Sequence, residues 1–173
     1  MADQPSQSLQ IRDARPEDYE AIQQLTLSAY EQYATLMEPD AWQALRRAMI
    51  SALTTDSPVE RIIAELDGQL VGSSMLFPAA RSAYQGITNE AAVPELRLLA
   101  VDTSVRGHGI GRALVEECIR RARQTGIDAL GLHTSNSMQT AKSLYERMGF
   151  ERYPAEDFQP NGTELVMAYR FKL

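Results

Sequence analysis

Residues Arg106-Gly107-His108-Gly109-Ile110-Gly111-Arg112 join an apolar run, Leu96 to Val101 broken only by Arg97, to an amphipathic stretch from Ala113 to Gln124. Strand, glycine-rich turn, helix: that order aims several backbone N–H groups and a helix N-terminus at one point. The first N–H groups of a helix lack intrahelical partners and carry the positive end of its dipole, so such a point attracts phosphate. Gly107, Gly109 and Gly111 can reach positive φ and let a ligand approach the backbone with no Cβ in the way. Arg106 and Arg112 add charge at both ends of the turn. Such a turn either cradles a phosphate-bearing ligand or serves chain geometry alone, and its residues by themselves allow both.

Spacing narrows the choice of ligand. A dinucleotide fingerprint needs G-x-G-x-x-G in an early βα turn, with an acidic residue closing the next strand. Here the pattern is G-x-G-x-G, it comes late in the chain, and the next strand closes on Ser135 and Asn136. The G-K-[ST] of a Walker loop is absent.

A length of 173 residues suits one domain with a proper core. We expect a short disordered tail over residues 1–8 and a single domain over 9–173. The net charge of −6 argues against a nucleic-acid partner. No apolar run has the length of a membrane span, and the polar N-terminus lacks a leader's basic and apolar regions. These features point to a soluble, cytoplasmic protein with no membrane partner. The one cysteine, Cys118, excludes an internal disulfide. It shares the apolar face of its helix with Leu114 and Ala122, as a buried, inert thiol would. No metal site is expected.

Along the chain, Leu9 to Asp13 alternates as a brief strand, and Pro16 suits the first turn of a helix carrying Ile22, Leu25, Ala29 and Tyr33. Glu38-Pro39-Asp40 restarts a helix with Trp42, Leu45, Met49 and Leu53 on one face. Arg61 to Leu66 and Leu70 to Phe77 flank Asp67-Gly68, a hairpin signal. Pro78 to Pro94 reads as a loop, and Glu95 to Val101 as a central strand covered on both faces. The helix from Gly107 to about Thr125 carries i,i+4 pairs Glu116–Arg120 and Glu117–Arg121 and stops at Gly126. Ala129 to Thr134 is another strand. Asn136 and Gln139 resemble a capping box opening a helix that ends at Met148-Gly149, and Glu164 to Phe171 forms a last strand. In that later helix Ala141, Leu144, Tyr145 and Met148 form one inward stripe, so the Tyr145 hydroxyl points somewhere buried, where it needs a partner; spacing alone favours a packed core tyrosine bonded to backbone over a functional one.

Arg106-Gly107-His108-Gly109-Ile110-Gly111 resembles the [QR]-x-x-G-x-[GA] signature of the GNAT N-acetyltransferase superfamily. The flanks agree: Leu99-Ala100-Val101 precedes it, and Ala141-x-x-Leu144-Tyr145-Glu146-x-x-Gly149-Phe150 follows. Together these motifs cover about residues 95–150. The resemblance implies an α/β fold with a mixed, mostly antiparallel central sheet flanked by helices. It implies acetyl-CoA as acyl donor and an acetyltransferase that moves its acetyl group to a primary amine by direct attack on the thioester.

It also implies roles. The pyrophosphate would bind the turn, Arg106, Gly107, His108, Gly109, Ile110, Gly111 and Arg112. The pantetheine arm would pair with Leu99, Ala100 and Val101 as an added strand does, admitted by a splay between that strand and the next. Glu95 to Val101 spans about 20 Å when extended, so one strand serves the phosphate end and the reactive end. An alkylamine, with a pKa of about 10.4, must lose a proton before attack. Glu95 sits where histone-modifying relatives keep their base, and pairing with Arg97 or a nearby loop is its other reading. An oxyanion donor is expected from a strand N–H near Leu99. Tyr145 matches the family tyrosine that serves the departing thiolate. Many relatives have Asn at the position of Met138, against the pantetheine arm. Here either Met138 packs there or Asn136 takes over, with Ala141 beside them. His133 reads as a satisfied core histidine and His108 as a solvent-facing turn residue.

The acceptor, a small-molecule amine or a peptide or protein amine, is not written in the sequence. Tyr30, Tyr33, Trp42 and Tyr84 are candidate lining residues, although core packing accounts for the first three equally well. A homodimer is compatible with the family. A non-catalytic acyl-CoA-binding module or sensor is the alternative; it would keep the glycine turn and not need Tyr145 or Glu95. A nucleotide-binding protein using the same turn is a third reading.

Overall fold

A computed structural model describes residues 8–79, 92–160 and 163–173. The expected tail over residues 1–8, apart from Ser8, lies outside them, as does most of the expected Pro78–Pro94 loop, Tyr84 included. Seven strands form one sheet: β1 (Leu9–Asp13), β2 (Glu60–Leu66), β3 (Gln69–Phe77), β4 (Glu95–Val101), β5 (Ala129–Thr134), β6 (Glu151–Arg152) and β7 (Met167–Lys172), in the order β1-β2-β3-β4-β5-β7-β6. Only β4 and β5 pair in parallel; the other neighbours are antiparallel. The helices are α1 (Tyr19–Tyr30), α2 (Pro39–Leu53), α3 (Ile110–Arg123) and α4 (Gln139–Arg147). This is the mixed, mostly antiparallel α/β architecture read from the sequence.

Local chemistry accounts for the element ends. Asp67 and Gly68 have φ of 51° and 81°, the two positive values that a two-residue β2–β3 hairpin turn requires. Pro39 stands in the first turn of α2, where its missing N–H costs nothing. Gly126, at φ 74°, ends the run after α3. The last strand begins later than its sequence suggests, because Val166 makes only an isolated bridge to Phe158 before β7 starts at Met167. The two-residue strand β6 is too short to leave a periodic signal.

Two cores sandwich the sheet. On one face Ile22 of α1 and Leu53 of α2 pack on Ile63 and Met75. On the other, Ile110, Leu114, Val115, Cys118 and Ile119 of α3 pack with Ile62, Ala64, Leu76 and Leu96, and Tyr145 of α4 joins this cluster. Alternation along β2, Ile62 one way and Ile63 the other, follows the two-residue period of a strand. Burial pushes the Cys118 thiol up to about 12, in keeping with an inert packing role.

Gly72 sets how closely α3 lies on the sheet. A Cβ there would meet Ile110 Cγ2 at 2.9 Å and Leu114 Cδ1 at 3.0 Å. At the far end of α3, Arg121 donates to Glu117 Oε1 (2.7 Å) and reaches Asp13 of β1 and Glu60 of β2. Arg120 also donates to Glu117 Oε2 (2.8 Å). Glu116 instead accepts from Arg112 Nε at 2.8 Å. The expected Glu116–Arg120 pair is therefore replaced, because Glu117 draws both Arg120 and Arg121 to the half-buried side of the helix.

Gly72→Ala should cost about 1–3 kcal/mol by overpacking, read as a lower denaturant midpoint at unchanged slope. Hydrogen bonds from Arg120, then Arg121, bring the Glu117 carboxyl down to about 2 from 4.5. A depressed carboxyl stabilises the fold above its unfolded pKa and loses that contribution as pH falls through its folded value. Glu117→Gln should therefore cost about 2–3 kcal/mol at pH 7 and progressively less between pH about 4.5 and about 2. A pH series of chemical denaturation curves checks it.

Candidate active site

After β4 the chain makes a 3-10 turn, Thr103–Val105, held by Asp102, whose Oδ1 accepts from Ser104 N at 2.8 Å and from Ser104 Oγ at 2.7 Å. These bonds keep the Asp102 carboxyl below its usual range. Gly107 and Gly109 then take φ of 82° and 77°, and Gly109 caps α3. Only glycine adopts both without strain. Gly111 does not share this conformation. It lies inside the helix, where its missing Cβ would stand 3.4 Å from Leu144 Cδ2 of α4, so its smallness serves helix packing.

Arg106 to Gly109 are exposed, whereas Ile110 is buried and anchors the helix start. Among the described residues, no N–H from Arg106 to Arg112 has a backbone acceptor. The first three helical N–H groups, of Ile110, Gly111 and Arg112, are orphans by geometry. Arg106 donates to Gln32 Oε1 at 3.0 Å, which ties the turn to the end of α1. His108 is exposed as expected, and its Nδ1 lies 3.0 Å from Val105 O, so the ring folds back on its own turn.

β4 differs on its two edges. Toward β3, Ser73 opposes Ala100 and Met75 opposes Arg97, so Leu98 and Leu99 share the single position of Ser74. This bulge puts Leu98 at φ 52°, a left-handed conformation costing a non-glycine residue about 1–2 kcal/mol. Leu98 packs toward α1 while Leu99 packs toward α3. Toward β5, the only ladder pair among the described residues is Glu95 with Gly131, beside a Gly131 N to Pro94 O bond of 2.9 Å. Past Glu95 no described strand pairs with that edge of β4, the splay expected there.

Inside the sheet edge, Glu95 is 8% exposed, with Oε1 3.2 Å from His133 Nδ1 and 4.0 Å from Arg97 Nε. The other ring nitrogen, His133 Nε2, lies 3.0 Å from Glu156 O. His133 is indeed satisfied, but one of its partners is the acid singled out from the sequence. No spacing signals this pair, because the parallel β4–β5 register that joins them spans all of α3.

Tyr145 is 7% exposed on α4, its ring 5.7 Å from that of Phe150. Burial, reinforced by Tyr30 and Tyr33, pushes its phenol well above 10, and the hydroxyl bonds to no described protein group. The hydroxyl is therefore a protonated donor at neutral pH. Tyr30 and Tyr33 meet edge to face at 5.6 Å near the end of α1, whereas Trp42 is a core residue of α2. Met138 is the N-cap of α4 and makes no side-chain cap bond. Gln139 Nε2 donates to Asn136 O at 2.9 Å and Asn136 Oδ1 accepts from Lys142 Nζ at 3.3 Å, so the expected capping box does not form. Ala141 is half-buried and packs with Leu144 against the α3 core.

Taken together, a turn whose N–H groups have no backbone acceptor among the described residues, a strand edge that no described strand pairs with, a protonated buried phenol and a buried carboxyl group lie on adjoining elements. They can hold phosphate oxygens, pair with an amide-bearing arm, donate to a departing anion and accept a proton. Among the described residues no three His, Cys, Asp or Glu side chains are arranged to hold a metal, and no helix is long and apolar enough to cross a membrane.

The acetyltransferase (GNAT) family model matches residues 19–150. A mycothiol acetyltransferase of Beutenbergia cavernae is 36% identical over 61 residues, 35% of this chain and 20% of that protein. A probable N-acetyltransferase, camello, of Xenopus tropicalis is 32% identical over 94 residues, 54% of this chain and 39% of that protein. The chain thus spans well under half the length of these curated relatives. Among solved structures, a GNAT-family acetyltransferase of Staphylococcus aureus matches with TM-score 0.67 and 19% identity, covering 96% of this chain and 99% of that one. The PaiA N-acetyltransferase of Thermoplasma acidophilum, in complex with coenzyme A, matches with TM-score 0.67 and 18% identity, covering 95% and 99%. With the family model spanning the glycine turn, the bulged strand and the tyrosine helix, the chain belongs to the GNAT family of acetyltransferases.

Proposed function

We propose that this protein transfers an acetyl group from acetyl-CoA to a primary amine. The observation that carries the reading is the continuity between the unbonded N–H groups of Arg106 to Arg112 and the β4 edge left open past Glu95. In this reading the turn binds the pyrophosphate, and Leu99, Ala100 and Val101 pair with the pantetheine arm. Asn136, Met138 and Ala141, at the start of α4, flank it. Bound there, acetyl-CoA supplies an electrophilic thioester carbonyl.

The chain's own groups then divide the work. Glu95, directly or through water, takes the proton that the ammonium acceptor must lose. An N–H freed by the Leu98–Leu99 bulge donates to the carbonyl oxygen as it gains charge. Tyr145 donates to the sulfur as it departs; its phenol, held protonated by burial, has a proton to give at neutral pH. Amine attacks directly, so no acyl-enzyme forms, and Cys118, wholly buried, takes no part. The acceptor is a small-molecule or polypeptide amine, and the reading places the protein in the cytoplasm as one domain, with homodimerisation open to it.

Tyr145→Phe should leave acetyl-CoA affinity within about twofold and lower kcat by about 10²–10⁴, the usual range for losing a general acid. The check is thiol release against an amine panel, with binding followed separately. Equal turnover in the variant would remove Tyr145 from the chemistry. No turnover in either protein with any amine would favour a binding module. Gly109→Ala, whose turn relaxes from positive φ in the free protein and must regain it to bind, should weaken acetyl-CoA binding about 5–30-fold, the equivalent of about 1–2 kcal/mol of strain.

A further inference from the structure

His133 bridges two elements that carry different parts of the site. Its Nε2 faces the Glu156 carbonyl at 3.0 Å, in the 3-10 turn Pro154–Glu156, and a carbonyl oxygen only accepts. Nε2 therefore carries a hydrogen. Its Nδ1 faces Glu95 Oε1 at 3.2 Å. With Nε2 protonated, a neutral ring presents a lone pair at Nδ1, which a carboxylate oxygen would repel. The contact is attractive only if one proton lies between the two groups, on the ring or on the acid. We propose that His133 is a positioning residue for Glu95: the two side chains share one proton across this contact, and the resulting imidazolium–carboxylate pair keeps Glu95 ionised and its Oε1 fixed inside the protein.

The surroundings favour charge on both partners. The side chains of His133 and Glu95 are each 10% exposed, and burial alone would drive the imidazole toward neutrality. A carboxylate at contact distance reverses that tendency. Burial lowers the His133 pKa, but the hydrogen bond and charge of Glu95, the Glu156 carbonyl and the Glu156 carboxylate together raise it above 6.5. Among the described residues, the other charges around the pair include Arg97, with Nε 4.0 Å from Glu95 Oε1, and Arg170 on β7, which donates to Glu156 Oε1 at 2.7 Å. The ring of Phe158 lies 5.3 Å from that of His133.

The catalytic consequence rests on the reading of Glu95 as the base. Its contact with His133 Nδ1 holds Glu95 Oε1 at one place inside the protein, where it can accept the acceptor's proton. When the ammonium acceptor gives up a proton, its N–H bond breaks with the electron pair left on nitrogen. An O–H bond forms on Glu95, and the pair passes from net zero to +1. That added positive charge favours return of the proton to solvent once the amide product has formed.

The test begins with the ring itself. The chain has two histidines, so 15N-labelled protein with His108→Asn reports His133 alone. The expected result is a doubly protonated ring at pH 6, with a midpoint above about 6.5 that falls when Glu95→Gln is added. A neutral ring at pH 6, with its lone pair at Nδ1, would overturn the imidazolium–carboxylate pair. Next, His133→Asn keeps a neutral donor in place. The acidic limb of its kcat/KM profile should move up by about one pH unit or more, with the fold retained. An unmoved limb in a stable variant would overturn the positioning role. Full turnover in Glu95→Gln would instead sink Glu95 as the base while the ring titration still decides the shared proton.

Discussion

Gly72 on β3 has no side chain, and the first turn of α3 occupies the space that one would fill. Ile110 and Leu114 drop onto the sheet there, which brings the N-terminus of α3 down beside the end of β4 rather than above it. A helix seated this low must begin abruptly. The chain leaves β4 at Val101 and enters the helix at Ile110, and two left-handed glycines absorb the change of direction. The consequence is electrical as much as geometric, since the backbone N–H groups of that reversal are left without backbone acceptors at the positive end of a fourteen-residue helix. Packing beneath the turn and the exposure of its N–H groups have one cause.

The second constraint is the divergence of β4 from β5. Parallel strands joined through a helix normally pair along their length, yet here one ladder pair at Glu95 suffices because each strand is held from its other side. β3 binds β4 over five register pairs and β7 binds β5 over six. Among the described residues, the β4 edge facing β5 is unpaired between Glu95 and the glycine turn. On the other edge, toward β3, the bulge at Leu98 stores strain that regular pairing would have avoided. At the paired end of β4 stands the Glu95–His133 contact, and α4 carries a phenol that burial keeps protonated.

Much of this could be read from residue order because the governing forces are local. The limits of β1, β4 and β5, the Asp67-Gly68 hairpin, the Pro39 helix start and the Gly126 stop are written in short-range chemistry. The inward stripe of α4 and the burial of Cys118 follow from helical period alone. What could not be read depends on partners distant in sequence. Glu116 has arginines at i−4 and i+4, and only the packing of Glu117 decides that it takes Arg112. Asn136 resembles a cap but bonds to Lys142, which leaves Met138 at the helix start. Gly111 belongs to the same signature as Gly107 and Gly109, yet its role is to admit Leu144. His133 looked inert because its partner lies on a strand that only the parallel register brings beside it.

The central claim is that the glycine turn and the open edge of β4 form one binding surface for an acyl-CoA. Calorimetric titration of the purified protein with acetyl-CoA, alongside CoA, NAD and ATP, tests it most directly. The account predicts saturable binding of acetyl-CoA and CoA with dissociation constants on the order of micromolar and none for NAD or ATP, since the strand edge recognises the amide-bearing arm that the nucleotides lack. Absence of acetyl-CoA and CoA binding, or equal affinity for NAD or ATP, would contradict it.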